Sequence, residues 1–361
     1  MRALLLSGYD ASSHRHWREI VSGGLPQWDW ETYTLPPRHF SWRVRGNALY
    51  LAEEIARSPN RQRELLLATS MVDLATLKGL VPELSSLPTI VYFHENQFDY
   101  PDNASRHGLV EAQLTSLYSA LAADLLLFNS DFNRQGFFAG ARDLLKRLPD
   151  CVPPGVVDRL EESSAVLPVP ISEVDAAPGD SDGPLQLVWN HRWEYDKGPA
   201  ELLELVRGLV ASEIEFCLHV VGQQFRSRPS EFEELHAVLA SAGRLGQWGT
   251  IEKREDYLAV LSRSHVVLST ALHDFQGLSV LEACAAGCSP LVPARLVYPE
   301  WFAEEYLYRG PADAVARIQQ LSRLRESGLP LPRADVSGFF SRQLLPEYER
   351  IIRSQLRGNS V

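Results

Sequence analysis

The chain has 361 residues, enough for two domains of ordinary size. Its 45% hydrophobic and 22% charged residues are globular composition with ample core, and no apolar run approaches the ~20 residues that span a bilayer, which excludes disordered and membrane-spanning classes. A net charge of -11 argues against indiscriminate nucleic-acid binding, while a local basic patch can still dock a folded RNA.

In chain order, the start has too short an apolar stretch for a secretory signal and predicts a first strand over 3–7. The turn that follows, Gly8-Tyr9-Asp10-Ala11-Ser12-Ser13-His14, lacks the glycines of a dinucleotide fingerprint, which argues against a nicotinamide or flavin cofactor and leaves Ser13 and His14 to face an acceptor. Next, Pro36 to Asn47 interleaves Arg38, Arg43 and Arg45 with Phe40 and Trp42, the mix that phosphates and stacked bases favour. The bland alternative is an amphipathic loop with solvated arginines. A helix is predicted over 47–57, strands over 65–70 and 89–93, a helix over 109–122 and a strand over 125–128. Directly after the apolar Ile90-Val91-Tyr92-Phe93 come His94-Glu95-Asn96-Gln97, at the carboxyl end of a strand, where open α/β sheets place ligands. Asn129-Ser130-Asp131-Phe132-Asn133 leaves its strand in the same manner and is expected to line the same mouth.

Residues 172–184 are poor in apolar side chains and rich in turn formers, so they predict a linker between an N-terminal domain over 1–171 and a C-terminal one over 185–336. The second half alternates again, with strands expected over 185–189, 216–221, 266–269 and 289–292 and a helical tail within 337–361. Two Rossmann-like domains facing across a cleft follow. After the first of these strands comes Asn190-His191-Arg192-Trp193-Glu194-Tyr195-Asp196-Lys197-Gly198, with Pro199 placed to open a helix. Arg192 and Lys197 on such a loop can neutralise a leaving nucleoside diphosphate, where charge develops when a glycosidic bond to phosphate breaks. Downstream, His273-Asp274-Phe275-Gln276-Gly277-Leu278-Ser279-Val280-Leu281-Glu282 ends a strand, turns through glycine and opens a helix. The amides at that helix start, near Gly277 and Leu278, would face an anion. Asp274 and Glu282, eight positions apart, lie before and within the helix, so one can reach a sugar while the other reaches a ribose. The cysteines Cys151, Cys217, Cys284 and Cys288 have neither zinc-like nor framework spacing, which fits the cytoplasm best.

The last segment resembles the E-x7-E motif of retaining glycosyltransferases with the GT-B fold, with Asp274 where the first Glu usually stands, and the Arg192/Lys197 loop is similar to their donor-phosphate loop. Taken with Trp42-Arg43-Val44-Arg45, Tyr92-Phe93-His94-Glu95-Asn96-Gln97 and Leu127-Phe128-Asn129-Ser130-Asp131-Phe132-Asn133, nearly the whole chain resembles the tRNA-queuosine α-mannosyltransferase family. Two departures stand out: Asp274 itself, and Gly8 to His14, where the family tends to have a glycine pair before Ser-His.

The resemblance implies an α/β chain of GT-B class whose C-terminal helix crosses back to the N-terminal domain. It implies transfer of mannose from GDP-mannose, with retained α configuration, to a hydroxyl on the cyclopentene ring of queuosine in tRNA, without a metal or other cofactor. By the same resemblance Asn190, Arg192, Lys197, Asp274, Gly277, Leu278 and Glu282 hold the donor, and His94, Arg192, Lys197 and Asp274 carry the catalysis. Ser13, His14, Arg38, Trp42, Arg43, Arg45, Glu95, Asn96 and Asn129 are then the acceptor-facing set. Two alternatives stay open at this point: a GT-B enzyme acting on a lipid or small glycan, and a non-catalytic nucleotide-sugar binding protein.

Overall fold

The structure, a computed structural model, describes every residue except 60–61, 100–108, 175–182, 213, 226–227 and 359–361. The predicted linker therefore lies largely outside the described residues. The chain divides into two compact units, one formed by Met1–Pro170 with Ser341–Val361, the other by Ile171–Phe340.

The first unit runs β1 (Arg2–Ser7), α1 (Ser12–Gly24), β2 (Asp29–Thr34), α2 (Phe40–Arg57), β3 (Leu65–Thr69), α3 (Leu74–Leu80), β4 (Thr89–Phe93), α4 (Leu109–Leu121), β5 (Leu125–Phe128), α5 (Asp131–Lys146), α6 (Val156–Glu162) and β6 (Ser164–Val166). The second runs β7 (Leu185–Trp189), α7 (Pro199–Val210), β8 (Phe216–Val221), α8 (Glu231–Ser241), β9 (Leu245–Gly249), α9 (Arg254–Arg263), β10 (Val266–Leu268), α10 (Leu278–Ala285), β11 (Ser289–Pro293), α11 (Tyr298–Trp301), β12 (Leu307–Tyr308) and α12 (Pro311–Glu326). The last helix, α13 (Ser341–Gly358), belongs to the first unit.

Each unit is built on a six-stranded parallel sheet, in the order β2-β1-β3-β4-β5-β6 and β12-β11-β10-β7-β8-β9. The central strands β3 and β4 are buried at every position, as continuous apolar runs must be when helices cover both sheet faces. Edge strands read differently. In β2, Asp-Trp-Glu-Thr-Tyr-Thr, no residue is fully buried, because only one neighbour and one covered face are available there. That polarity is why β2 left no apolar signal in the sequence, whereas β6 and β12, of three and two residues, are too short to show a period.

Helix α2 starts seven residues before the predicted 47. Phe40 already begins it, after His39 in the left-handed region, and Val44, Ala48, Leu51 and Ile55 form its buried stripe. Gly46 does not break the helix: the Trp42 ring lies so close that a Cβ at Gly46 would sit 2.3 Å from it. The arginine–aromatic cluster is thus largely helical, and the amphipathic-loop reading is corrected. Within the first unit α13 is tied down through Tyr348, whose hydroxyl accepts from Trp17 Nε1 at 3.0 Å and donates to the Pro168 carbonyl at 3.0 Å.

Candidate functional site

In the second sheet the chain moves outward to opposite sides from β7 and β10, so the loops leaving these two strands flank the topological switch point, where open sheets take ligands. Both sequence motifs are on those loops. Gly198, at φ 66°, lets one loop lie on the other: a Cβ there would fall 2.0 Å from the Thr270 carbonyl oxygen. Pro199 then opens α7.

Lys197 is buried, and its Nζ donates to the His273 carbonyl at 2.7 Å and meets Asp274 at 3.2 Å and Asp196 at 3.5 Å. Asp274 Oδ1 accepts from the Gly277 amide at 2.8 Å, and Oδ2 also takes the Tyr298 hydroxyl at 3.4 Å. Burial alone would raise the Asp274 pKa, yet Lys197, His191 and the Gly277 amide hold it well below the usual carboxylate range, so it is ionised. Gly277, left-handed at φ 71°, precedes α10, and Leu278 is the first residue of that helix. Asn190 donates to the Ser279 carbonyl at 2.7 Å and to the Tyr257 hydroxyl at 3.0 Å. The same hydroxyl donates to Glu282 at 3.4 Å, and Arg254 pairs with Glu282 at 2.5 Å.

All the predicted donor residues thus belong to one connected set around the start of α10. Arg192 is not a bare cation. It is half-exposed and already pairs with Glu194 and, at 3.4 Å, with Asp196, because its own loop supplies two carboxylates. Lys197, likewise, is not a solvated charge. His191, Asp196, Tyr257, Arg254, Ser279 and Tyr298 complete the set and were missed as site residues. His191, Asp196 and Ser279 stood inside the quoted motifs, whereas Tyr257, Arg254 and Tyr298 had no signal, since they arrive from α9 and α11 through the fold.

In the first unit, His94 follows β4 and is buried, its ring 4.2 Å from His14, 4.7 Å from Tyr92 and 5.0 Å from Trp17 by centroid. Burial, then the neighbouring His14 and His16, pushes its pKa well below the ordinary histidine value, so the ring is neutral. Its Nε2 has no hydrogen-bond partner among the described residues. His14, on α1, is anchored by the Tyr9 carbonyl, and Tyr9 packs edge-on against Phe40 at the start of α2. Ser13 is half-buried in the first turn of α1, and Glu95 is half-buried after His94.

Asn129 donates to the His94 carbonyl at 2.9 Å and accepts from Asn133 at 2.8 Å. Asn96 is fully buried: its oxygen accepts the Phe98 and Asp99 amides and its nitrogen donates to Asn133 and Asp99. Both asparagines therefore hold the loop together from inside. Arg38 and Trp42 are exposed, and Arg43 is half-buried. Arg45 pairs with the buried Asp73 at 3.3 Å and with Glu111 at 3.6 Å, so its charge is already compensated.

Among the described residues no cluster of His, Cys, Asp and Glu is arranged to hold a metal ion, and no helix is long and apolar enough to cross a membrane.

Residues 2–171 match the family described as tRNA-queuosine alpha-mannosyltransferase N-terminal, and residues 172–327 match glycosyl transferases group 1. The tRNA-queuosine alpha-mannosyltransferase of Drosophila melanogaster is 30% identical over 369 residues, covering 98% of this chain and 97% of that one. Among solved structures, HepE of Anabaena in complex with UDP superposes with a TM-score of 0.68 at 12% identity, over 98% of this chain and 100% of that one. Sucrose-phosphate synthase from Thermosynechococcus elongatus gives 0.67 at 13% identity over 99% and 100%, and the apo lipopolysaccharide outer core galactosyltransferase gives 0.63 at 12% over 98% and 100%. At such identities the likeness carries the fold, which is GT-B. With the match to the fly enzyme running almost end to end, the chain is a glycosyltransferase and belongs to the tRNA-queuosine alpha-mannosyltransferase family.

Proposed function

We propose that the protein transfers mannose from GDP-mannose, with retention of the α configuration, to a hydroxyl on the cyclopentene ring of queuosine in a tRNA anticodon, and that it does so in the cytoplasm without a metal. The observation that carries this reading is the connected donor set at the start of α10. It offers a cationic side chain, a helix N-terminus and two fixed carboxylates in the order that a sugar, a diphosphate and a ribose require.

In the transition state the bond between the anomeric carbon and the β-phosphate oxygen breaks, and negative charge gathers on the departing GDP. Lys197, Arg192 and the amides near Gly277 and Leu278 lie where that charge grows, and such preorganised groups stabilise a transition state more than the ground state. They supply the positive charge that a metal would otherwise provide. Asp274, held ionised by Lys197 and the Gly277 amide, accepts from sugar hydroxyls, and Glu282 accepts from the ribose. A double displacement would need a carboxylate beneath the anomeric carbon, and the sequence motifs do not identify one. In the proposed reaction the acceptor hydroxyl attacks from the leaving-group face and passes its proton to the departing phosphate oxygen. His94 takes the sugar or the acceptor, His14 and Ser13 face the acceptor, and Arg38, Trp42 and Arg43 take the RNA.

The test is transfer of radiolabel from a panel of nucleotide sugars to bulk tRNA with and without queuosine. Label is expected on queuosine-containing tRNA from GDP-mannose alone. Equal labelling of queuosine-free tRNA, or labelling from another donor only, would contradict the proposal.

A further inference from the structure

We propose that His191 is a further donor-site residue, whose Nε2–H donates to a non-bridging oxygen of the donor diphosphate, and that Ser279 fixes the tautomer that makes it a donor. This rests on the donor reading above and deepens it. Successive residues at the end of β7 clamp the first turn of α10: Asn190 donates to the Ser279 carbonyl at 2.7 Å, and His191 Nδ1 lies 3.0 Å from the Ser279 hydroxyl. The His191 ring is 3% exposed and packed edge-on against Trp189, so it cannot swing to find another partner.

Its Nε2 is buried without a hydrogen-bond partner among the described residues. A buried polar atom left unsatisfied is costly, and a site that keeps one is suited to a partner supplied by the ligand. The amides of the first turn of α10 have no intrahelical acceptor either, and Asp274 accepts the amides just before that turn, of Gly277 at 2.8 Å and Gln276 at 3.4 Å. The charged groups that act on His191 are Lys197, Asp274, Asp196 and Arg192. Burial first, then Lys197, brings its pKa down to about 3, so the ring is neutral and carries a single N–H. With the Ser279 hydroxyl donating to Nδ1, that proton is on Nε2. The other tautomer would turn a lone pair on the anion that Lys197 and the helix start attract.

Calorimetric titration of the full chain with GDP, UDP, ADP and, by competition, guanosine tests this in His191→Ala, His191→Gln, His191→Asn and Ser279→Ala. A glutamine nitrogen reaches the place of Nε2, whereas an asparagine nitrogen reaches only that of Nδ1. The expected result is GDP binding weakened about tenfold or more in His191→Ala and His191→Asn, near wild type in His191→Gln, intermediate in Ser279→Ala, with guanosine binding unchanged within about twofold. The Gln–Asn comparison decides the matter even where the alanine variant folds poorly. Equal GDP affinity in wild type and His191→Ala, or equal loss in Gln and Asn, overturns the assignment of His191 alone. A wild type that binds UDP or ADP but not GDP contradicts the donor identity, and the same comparison then decides His191 on the nucleotide that binds. A wild type that binds none of the three overturns both.

Discussion

Lys197 sits against the His273 carbonyl and two carboxylates, so truncating it removes the cation proposed for the donor diphosphate and leaves Asp274 without its lysine partner, while Asp196 keeps Arg192. Lys197→Ala is therefore expected to lower kcat/KM by about a hundredfold or more. Arg192 is half-exposed and must leave Glu194 to meet a phosphate, so Arg192→Ala is expected to lose less, about tenfold. Steady-state kinetics with GDP-mannose check both, and unchanged turnover in Lys197→Ala would remove the charge argument. Asp274→Glu restores the first Glu of the E-x7-E pattern that the segment resembles and should keep activity within about tenfold, while Asp274→Ala should lose most of it. At this scale the sequence showed residue type and order but not pairing. Lys197 and Asp274 were each legible from motifs 77 positions apart, and their mutual salt bridge was not, because only the parallel adjacency of β7 and β10 brings them together.

Helix α2 shows the same division at the scale of an element. Its aromatic–basic composition is evident in the sequence, yet its start is not, since Gly46 and the lack of a polar cap disguise a helix that Trp42 covers from outside. The structure also separates its arginines. Arg38 is exposed and Arg43 half-buried, whereas Arg45 answers Asp73, whose other oxygen caps α3 through the Thr76 amide. Arg38→Glu with Arg43→Glu should weaken tRNA binding and flatten its dependence on salt, because fewer counterions are released. Equal affinity and slope across a salt series would place the RNA elsewhere. Arg45→Glu should instead cost about 1–3 kcal/mol of stability by leaving the buried Asp73 without its partner, which urea unfolding measures. The loop after β7 depends equally on backbone: Gly198→Ala puts a Cβ into the Thr270 carbonyl and should abolish donor binding even though the chemistry-bearing residues remain. Nucleotide titration checks that, and normal binding would contradict it.

For the molecule as a whole, both sheets and their central strands were legible because parallel strands covered on both sides must be apolar throughout. The edge strands and the supporting shell around Glu282 were not, because neither obeys a local pattern. Buried histidines give the folded chain a predictable acid limit. His94, His191 and His219 are all held below the ordinary 6.5 by burial, His191 to about 3 and His219 to about 4. Below about pH 6.5 the unfolded chain binds these protons and the folded chain does not, so stability falls as pH drops, by up to about 1.4 kcal/mol per pH unit for each histidine. The ionised Asp274 adds its loss only at far lower pH, as its depressed folded-state pKa is crossed. Urea midpoints from about pH 7.5 to about pH 5 should decline steeply, and His219→Gln should soften the slope by about one proton. A flat profile would mean that these rings titrate normally. Whether mannose is joined through an α linkage to queuosine is read from the product itself. After incubation with GDP-mannose and queuosine-containing tRNA, the nucleosides released by digestion are analysed by mass and by NMR of the anomeric centre. Queuosine is expected to become a nucleoside heavier by one hexose, with an α-mannosyl linkage on its cyclopentene ring; a β linkage, or a hexose on any other nucleoside, would overturn the proposed reaction.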